Sequence, residues 1–90
     1  MTIEEIKEVV RQMLLEIQNG SGRPVPIFHD ELRPIGDLEG FDSLNAVEAT
    51  SLLSEYLGNE IPNDLMLPMY PGEQLTINEI ADRLYQIIGS

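Results

Sequence analysis

No cysteine occurs in the 90-residue chain, so it can form no disulfide, offers no thiol nucleophile and cannot build a thiolate metal site. Its single histidine, His29, cannot make a structural zinc site alone, and no metal ligands are expected. This cysteine usage fits a reducing compartment, and a cytoplasmic location is expected. Basic residues are scarce too: five stand against sixteen acidic ones, a net charge of −11 at pH 7. Such an excess opposes binding to nucleic-acid phosphates or anionic lipid and calls for basic partners. The longest apolar runs fall far short of the ~18 residues that cross a bilayer, so no membrane span is expected. Acids from Glu4 onward read against a secretory signal. There is no Gly-rich phosphate cradle, no calcium-loop spacing and no alternating strand pattern.

Ninety residues are enough for one domain, expected to span residues 1–90 as a monomer. At this mass a folded chain exposes roughly 5,300 Å² and an unfolded one roughly 14,600 Å², so a modest core forms without covalent staples. The charge is uneven. Residues 30 to 60 hold eight acids against Arg33 alone, which concentrates the negative field in the middle of the chain.

Thr2 followed by Glu5 is a capping box, and Ile3, Ile6, Val9, Val10, Met13, Leu14 and Ile17 then recur at helical spacing. Asn19-Gly20-Ser21-Gly22 ends this first helix, and Pro24, Pro26 and Pro34 keep the next stretch irregular, apart from a single turn after Asp30. Ile27, Phe28, Leu32, Ile35, Leu38 and Phe41 are too many apolar residues for a free linker and predict a long loop packed across the helices. A second helix opens at Asp42 and stops at Gly58-Asn59. Asn63 to Tyr70 reads as one or two helical turns limited by Pro68 and Pro71. Thr76 and Glu79 repeat the capping box, before Ile77, Ile80, Ala81, Leu84, Ile87 and Ile88 make a final amphipathic helix. The expected fold is all-α: a small three- to four-helix bundle with a long first loop.

Around the second helix, at about 100° per residue from Val47, Ala46, Ala49, Thr50, Leu53, Tyr56 and Leu57 gather on one side, which should face the core. Leu44 falls at about 60°, between Ser51, Glu55 and Glu48, in the middle of the polar face. An apolar knob rimmed by acids suits a partner with a pocket and basic residues around it, although single exposed leucines are also common without a role. Ser43 stands at the first helical position, where backbone amides and the helix dipole favour a bound or attached anion; serine there also serves simply as a capping residue. No motif ties His29 to Ser43, and Asp37 with Glu39 reads as a solvated loop rather than an acid/base dyad, so no catalytic residues are expected.

Gly40-Phe41-Asp42-Ser43-Leu44, followed by Val47-Glu48 and then by Glu60-Ile61-Pro62, in an acidic chain of this length, resembles the acyl carrier protein family. The resemblance covers essentially the whole chain and is most specific from Leu38 to Pro62. It implies that Ser43 carries a covalent 4′-phosphopantetheine arm, installed from coenzyme A by a phosphopantetheinyl transferase, on which acyl groups ride as thioesters. It implies further that Asp42, Leu44, Val47 and Glu48, with Glu55 on the same face, recognise acyl-processing enzymes through basic docking surfaces. An acyl pocket is then expected beside Val47, Thr50, Leu53, Leu57, Ile61, Ile77 and Ile80. The chain departs from the family at Asn45, Ser54 and Tyr56, where acids are common, and at Asp64 to Pro71, which is longer and more apolar. Fatty-acid, polyketide and aminoacyl or peptidyl cargo share the same site. An unmodified acidic helical adaptor that binds a basic protein is the reading from another class.

Overall fold

Three amphipathic helices and one short turn form the computed structural model, which describes residues 1–68 and 72–89. They are α1 (Ile3–Gly20), α2 (Pro34–Asp37), α3 (Ser43–Leu57) and α4 (Ile77–Ile88), with no strand among the described residues. The all-helical bundle and its long first loop are as the sequence predicts. The accessible surface is 5217 Å² and the radius of gyration 11.9 Å, against about 12 Å expected for a compact chain of this length.

Each long helix starts where a side chain satisfies the otherwise unpaired amides of its first turn. Thr2 N donates to Glu5 Oε1 at 2.8 Å while Glu5 N donates to Thr2 Oγ1 at 3.2 Å. Thr76 and Glu79 repeat this exchange at 2.8 and 3.1 Å. From these starts α1 buries Ile6, Val9, Val10, Met13, Leu14 and Ile17, and α4 buries Ile77, Ile80, Ala81 and Leu84. The closest helix packing is of α1 against α4 and of α1 against α3. Leu14 and Leu53 are fully buried, and truncating either to alanine costs about 2–5 kcal/mol, a large share of a small domain's stability.

The first loop is tied at both ends. Asp30 accepts from Lys7 Nζ at 3.1 Å and from Arg11 Nη2 at 2.9 Å, anchoring the loop to α1. The next link is backbone: Ile77 N donates to Leu32 O and Asn78 N to Asp30 O, each at 2.9 Å, so two first-turn amides of α4 are met by loop carbonyls. Arg33 adds an ion pair to Glu73 at 2.7 Å and donates to the Gln74 carbonyl. Leu32, Leu38 and Phe41 are buried and Phe28 and Ile35 packed at the edge, as expected, but Ile27 is 91% exposed. Pro24 and Pro26 keep that stretch out of a helix. Ile87, in the last turn of α4, is likewise exposed.

The single turn α2 lies in the first loop, where one turn after Asp30 is expected, and is irregular, with Ile35 (ψ 109°) and Gly36 (φ 119°) leaving helical geometry. Between α3 and α4, residues 63–66 form turns closed by Leu65 N to Pro62 O and Leu67 N to Asp64 O, with no α-helix; Met69, Tyr70 and Pro71 lie outside the described residues. Arg83 Nη1 donates to Leu65 O at 2.8 Å and Leu67 O at 2.6 Å, so carbonyls of these turns are met from α4.

Candidate functional site

The segment 38–48 is positioned from α1. Gly22, in the left-handed conformation (φ 67°), closes α1: its amide donates to Asn19 O at 3.1 Å and the Arg23 amide to Gln18 O at 2.9 Å. These paired bonds, with the glycine just beyond the cap, are a Schellman motif. The motif turns Arg23 back over the loop, where it packs so closely on Gly40 that a Cβ there would stand 2.7 Å from Arg23 Nε. Arg23 Nη1 then donates to Asn45 Oδ1 at 3.0 Å. Gln18, fully buried, donates from Nε2 to Glu39 O at 3.0 Å and holds the chain just ahead of α3.

At the start of α3, Asp42 Oδ1 accepts from Leu44 N and Asn45 N, each at 3.1 Å, and Asn45 Oδ1 accepts from Asp42 N at 3.4 Å. This exchange fixes Ser43 at the first helical position, exposed, with neither its amide nor its hydroxyl bonded to any described residue. A free oxygen nucleophile and a free amide at the positive end of a 15-residue helix form a local environment that tolerates a phosphate ester. Asp42 is the neighbouring negative charge, and its carboxylate is engaged in capping.

Leu44 is 77% exposed, Glu48 and Glu55 are exposed, and Val47 is half-buried at the edge of the same face. The predicted partner-recognition residues therefore share one solvent-facing side of α3. Asn45 is turned to the loop by its bonds to Asp42 and Arg23. An acid at position 45 would be paired with Arg23 rather than offered to a partner. Tyr56 corrects the reading of the wheel: it is 65% exposed, not in the core. The buried arc of α3 is centred on Ala46, Ala49 and Leu53, and Tyr56 lies at its edge, turned toward α1.

Of the residues expected to line an apolar pocket, Thr50, Leu53, Ile61, Ile77 and Ile80 are buried, while Val47 and Leu57 are half-buried. Leu53, Ile61, Ile77 and Ile80 belong to the one buried core cluster, with Leu57 packed against it. Thr50, the polar member, donates its hydroxyl to Ala46 O at 2.8 Å, so its hydrogen-bonding need is met within the helix. A depression of about 420 Å³ beside Glu60, Ile61, Pro62 and Asn63 reaches the edge of this set.

His29 is exposed and lies 3.9 Å from Glu31, and Asp37 Oδ2 accepts from Arg33 N at 2.8 Å. Among the described residues no group of three or more histidines and acids could hold a metal ion, and no helix is long and apolar enough to cross a membrane. Arg23 is the site residue that sequence reading missed; its signal was its place directly after the glycine that ends α1. No protein family, curated protein or solved structure compared with the chain matches it.

Proposed function

We propose that this chain is an acyl carrier protein, with Ser43 as the attachment point for 4′-phosphopantetheine and the exposed side of α3 as the surface read by its enzymes. The observation that carries the reading is the setting of Ser43: exposed at the first position of α3, bonded through its amide or hydroxyl to no described residue, and beside a leucine that is 77% exposed. Asp42 and Asn45 hold that turn rigid, so a modifying enzyme meets a preset serine rather than a mobile loop. Once attached, the arm supplies the thiol that a cysteine-free chain lacks. Leu44 offers an apolar contact, while Glu48 and Glu55 attract basic surfaces and speed encounter. The interior side of α3 is apolar and includes the small residues Ala46 and Ala49, which suits an aliphatic cargo. No residue of the chain is assigned a catalytic role, and a cytoplasmic location accords with this reading.

The test is intact mass after incubation with coenzyme A and a broad-specificity phosphopantetheinyl transferase. The expected result is one added phosphopantetheine on the native chain and none on Ser43→Ala. No addition to the folded native chain overturns the carrier reading and leaves the unmodified adaptor; addition that persists in Ser43→Ala overturns the site.

A further inference from the structure

A groove runs along the other edge of α3. Three concavities share residues end to end between α1 and α3. One, of about 430 Å³, is lined by Glu8, Val9, Gln12, Met13, Glu16 and Tyr56. The next is shared by Met13, Glu16, Leu52, Glu55 and Tyr56, and the third brings Glu16, Ile17 and Gly20 against Glu48 and Leu52. The late part of α1 thus faces the early part of α3, so the two helices run antiparallel with an open seam between them. The floor of the seam is apolar, built on Met13, Leu52 and the ring of Tyr56, which is 65% exposed although it lies on a core-leaning arc of the helix.

The charged residues of the rim are all acidic, with Gln12 the neutral polar member. Glu16, Glu48 and Glu55 border the groove, and none of the three is in an ion pair with a described residue. Glu8, at the far end, is bonded to Arg11 and Gln12. No described cation reaches Glu16, Glu48 or Glu55: Lys7 binds Asp30, Arg11 is shared between Asp30 and Glu8, Arg23 binds Asn45, Arg33 binds Glu73, and Arg83 binds backbone carbonyls. From Glu48 to Tyr56 the seam rises about 12 Å along α3 and from Glu8 to Gly20 about 18 Å along α1, the length of two to three helical turns.

We propose that this groove is a docking site for a basic amphipathic helix of a partner protein, its apolar residues seated on Met13, Leu52 and Tyr56 and its lysines or arginines against Glu16, Glu48 and Glu55. Charge complementarity selects this occupant. An acidic or neutral helix leaves three carboxylates facing it unpaired, whereas a basic one pairs them at a partly desolvated rim around an aromatic anchor. The groove ends at Glu48, about 7.5 Å along the axis from Ser43, so a helix seated there lies beside the modification site without covering it. The proposal does not depend on Ser43 being modified.

The test uses the unmodified full chain and a synthetic helical peptide about fourteen residues long, with leucines at positions i, i+3, i+4 and i+7 and lysines between them. A scrambled peptide of the same composition is the control. Titration followed by backbone and side-chain chemical shifts is expected to move Met13, Leu52 and Tyr56 most. Glu16→Lys and, at constant charge, Tyr56→Ser are each expected to weaken binding about tenfold. Glu31→Lys, the same reversal at an exposed loop acid, is expected to weaken it by less than about twofold. Equal losses for Glu16→Lys and Glu31→Lys, unchanged binding by Tyr56→Ser, equal affinity for the scrambled peptide, or shifts centred on Leu44 each overturn the groove. The modification assay on Ser43 is unaffected by any of these outcomes.

Discussion

Arg23 and Asn45 are joined at 3.0 Å across the mouth of the first loop, and this bond couples the end of α1 to the beginning of α3. Arg23 passes so close to Gly40 on its way to Asn45 that a Cβ there would stand 2.7 Å from Nε and 3.0 Å from Cζ. The end of one helix, a glycine and a cap residue therefore set the position of Ser43 together.

That coupling separates two glycines. Both Gly22 and Gly40 adopt left-handed conformations, at φ 67° and 73°, but a Cβ on Gly22 meets nothing within 4 Å whereas one on Gly40 meets Arg23. Gly22→Ala is expected to lose only the conformational cost, about 1–2 kcal/mol. Gly40→Ala is expected to lose more and to shift the amide resonances of Asp42, Ser43 and Asn45. Urea midpoints compare the two variants. Arg23→Ala placed on Gly40→Ala should recover the excess but not the common part.

Asp30 gives a pH dependence with a definite sign. Hydrogen bonds first from Lys7 and then from Arg11 hold its carboxyl below the ordinary value of 3.8, and Asp30 in turn holds Lys7 above its ordinary 10.5. The folded carboxyl is the more acidic, so its contribution is complete above pH 3.8 and is lost as pH falls through the lower folded value. For Lys7 the sense reverses: its contribution is complete below 10.5 and is lost as pH rises through the raised value. The stability gap between native chain and Asp30→Asn, measured as urea midpoints, should be constant near neutrality, close at the acid extreme, and narrow without closing at the alkaline one, where Arg11 still holds Asp30 at 2.9 Å. Glu5 and Glu79, also lowered by their capping bonds to Thr2 and Thr76, remain in both chains and cancel.

The helices were legible because their signals are local. Thr2 with Glu5 and Thr76 with Glu79 lie three positions apart, and the apolar stripes of α1 and α4 repeat within one turn. Where the structure departs, the deciding partner is distant. Arg83, 16 positions from Leu67, binds its carbonyl across the turns that stand at residues 63–66, where one or two helical turns are expected. The wheel gave Tyr56 an angle but not the packing around it: its ring borders the open seam with α1 and stays 65% exposed. Ser43 and Leu44 could be placed because helix position alone determines their exposure; the Arg23 bond could not, since nothing in sequence relates position 23 to position 45.

The docking face can be tested without disturbing the fold. The side chains of Leu44 and Glu48 are exposed, and the Glu48 carboxylate makes no hydrogen bond or ion pair with any described residue. Leu44→Ala and Glu48→Lys are therefore expected to change stability by no more than about 0.5 kcal/mol while lowering turnover by an enzyme that acts on the modified chain. Circular dichroism checks the first expectation and steady-state kinetics at two salt concentrations the second. Added salt should weaken the native interaction, and Glu48→Lys should reduce that sensitivity, because exposed charges are screened over about 8 Å at physiological ionic strength. Unaltered turnover in both variants removes α3 from partner recognition.

The interior side of α3 sets the last expectation. Val47, Thr50, Leu53 and Leu57 face inward or lie at the edge, with Ile61, Ile77 and Ile80 buried in the same region, and Thr50 has its hydroxyl bonded within the helix. The tight helix contacts of the bundle are those of α1 with α4 and with α3, so the region between α3 and α4 is the one expected to part most easily. An aliphatic chain entering it gains about 0.8 kcal/mol per methylene buried. Two further methylenes, fully buried, then raise the melting temperature by roughly 6–13 °C in a domain of this size, before the cost of opening is subtracted. A series of acyl groups on the Ser43-modified chain should therefore melt at stepwise higher temperatures, with methyl shifts at Leu53, Ile77 and Ile80, until the space is filled. Leu53→Phe, which fills the interior in advance, should flatten the series even if its own baseline stability falls. Equal melting points for all chain lengths, with shifts confined to Ser43 and its neighbours, would place the cargo in solvent.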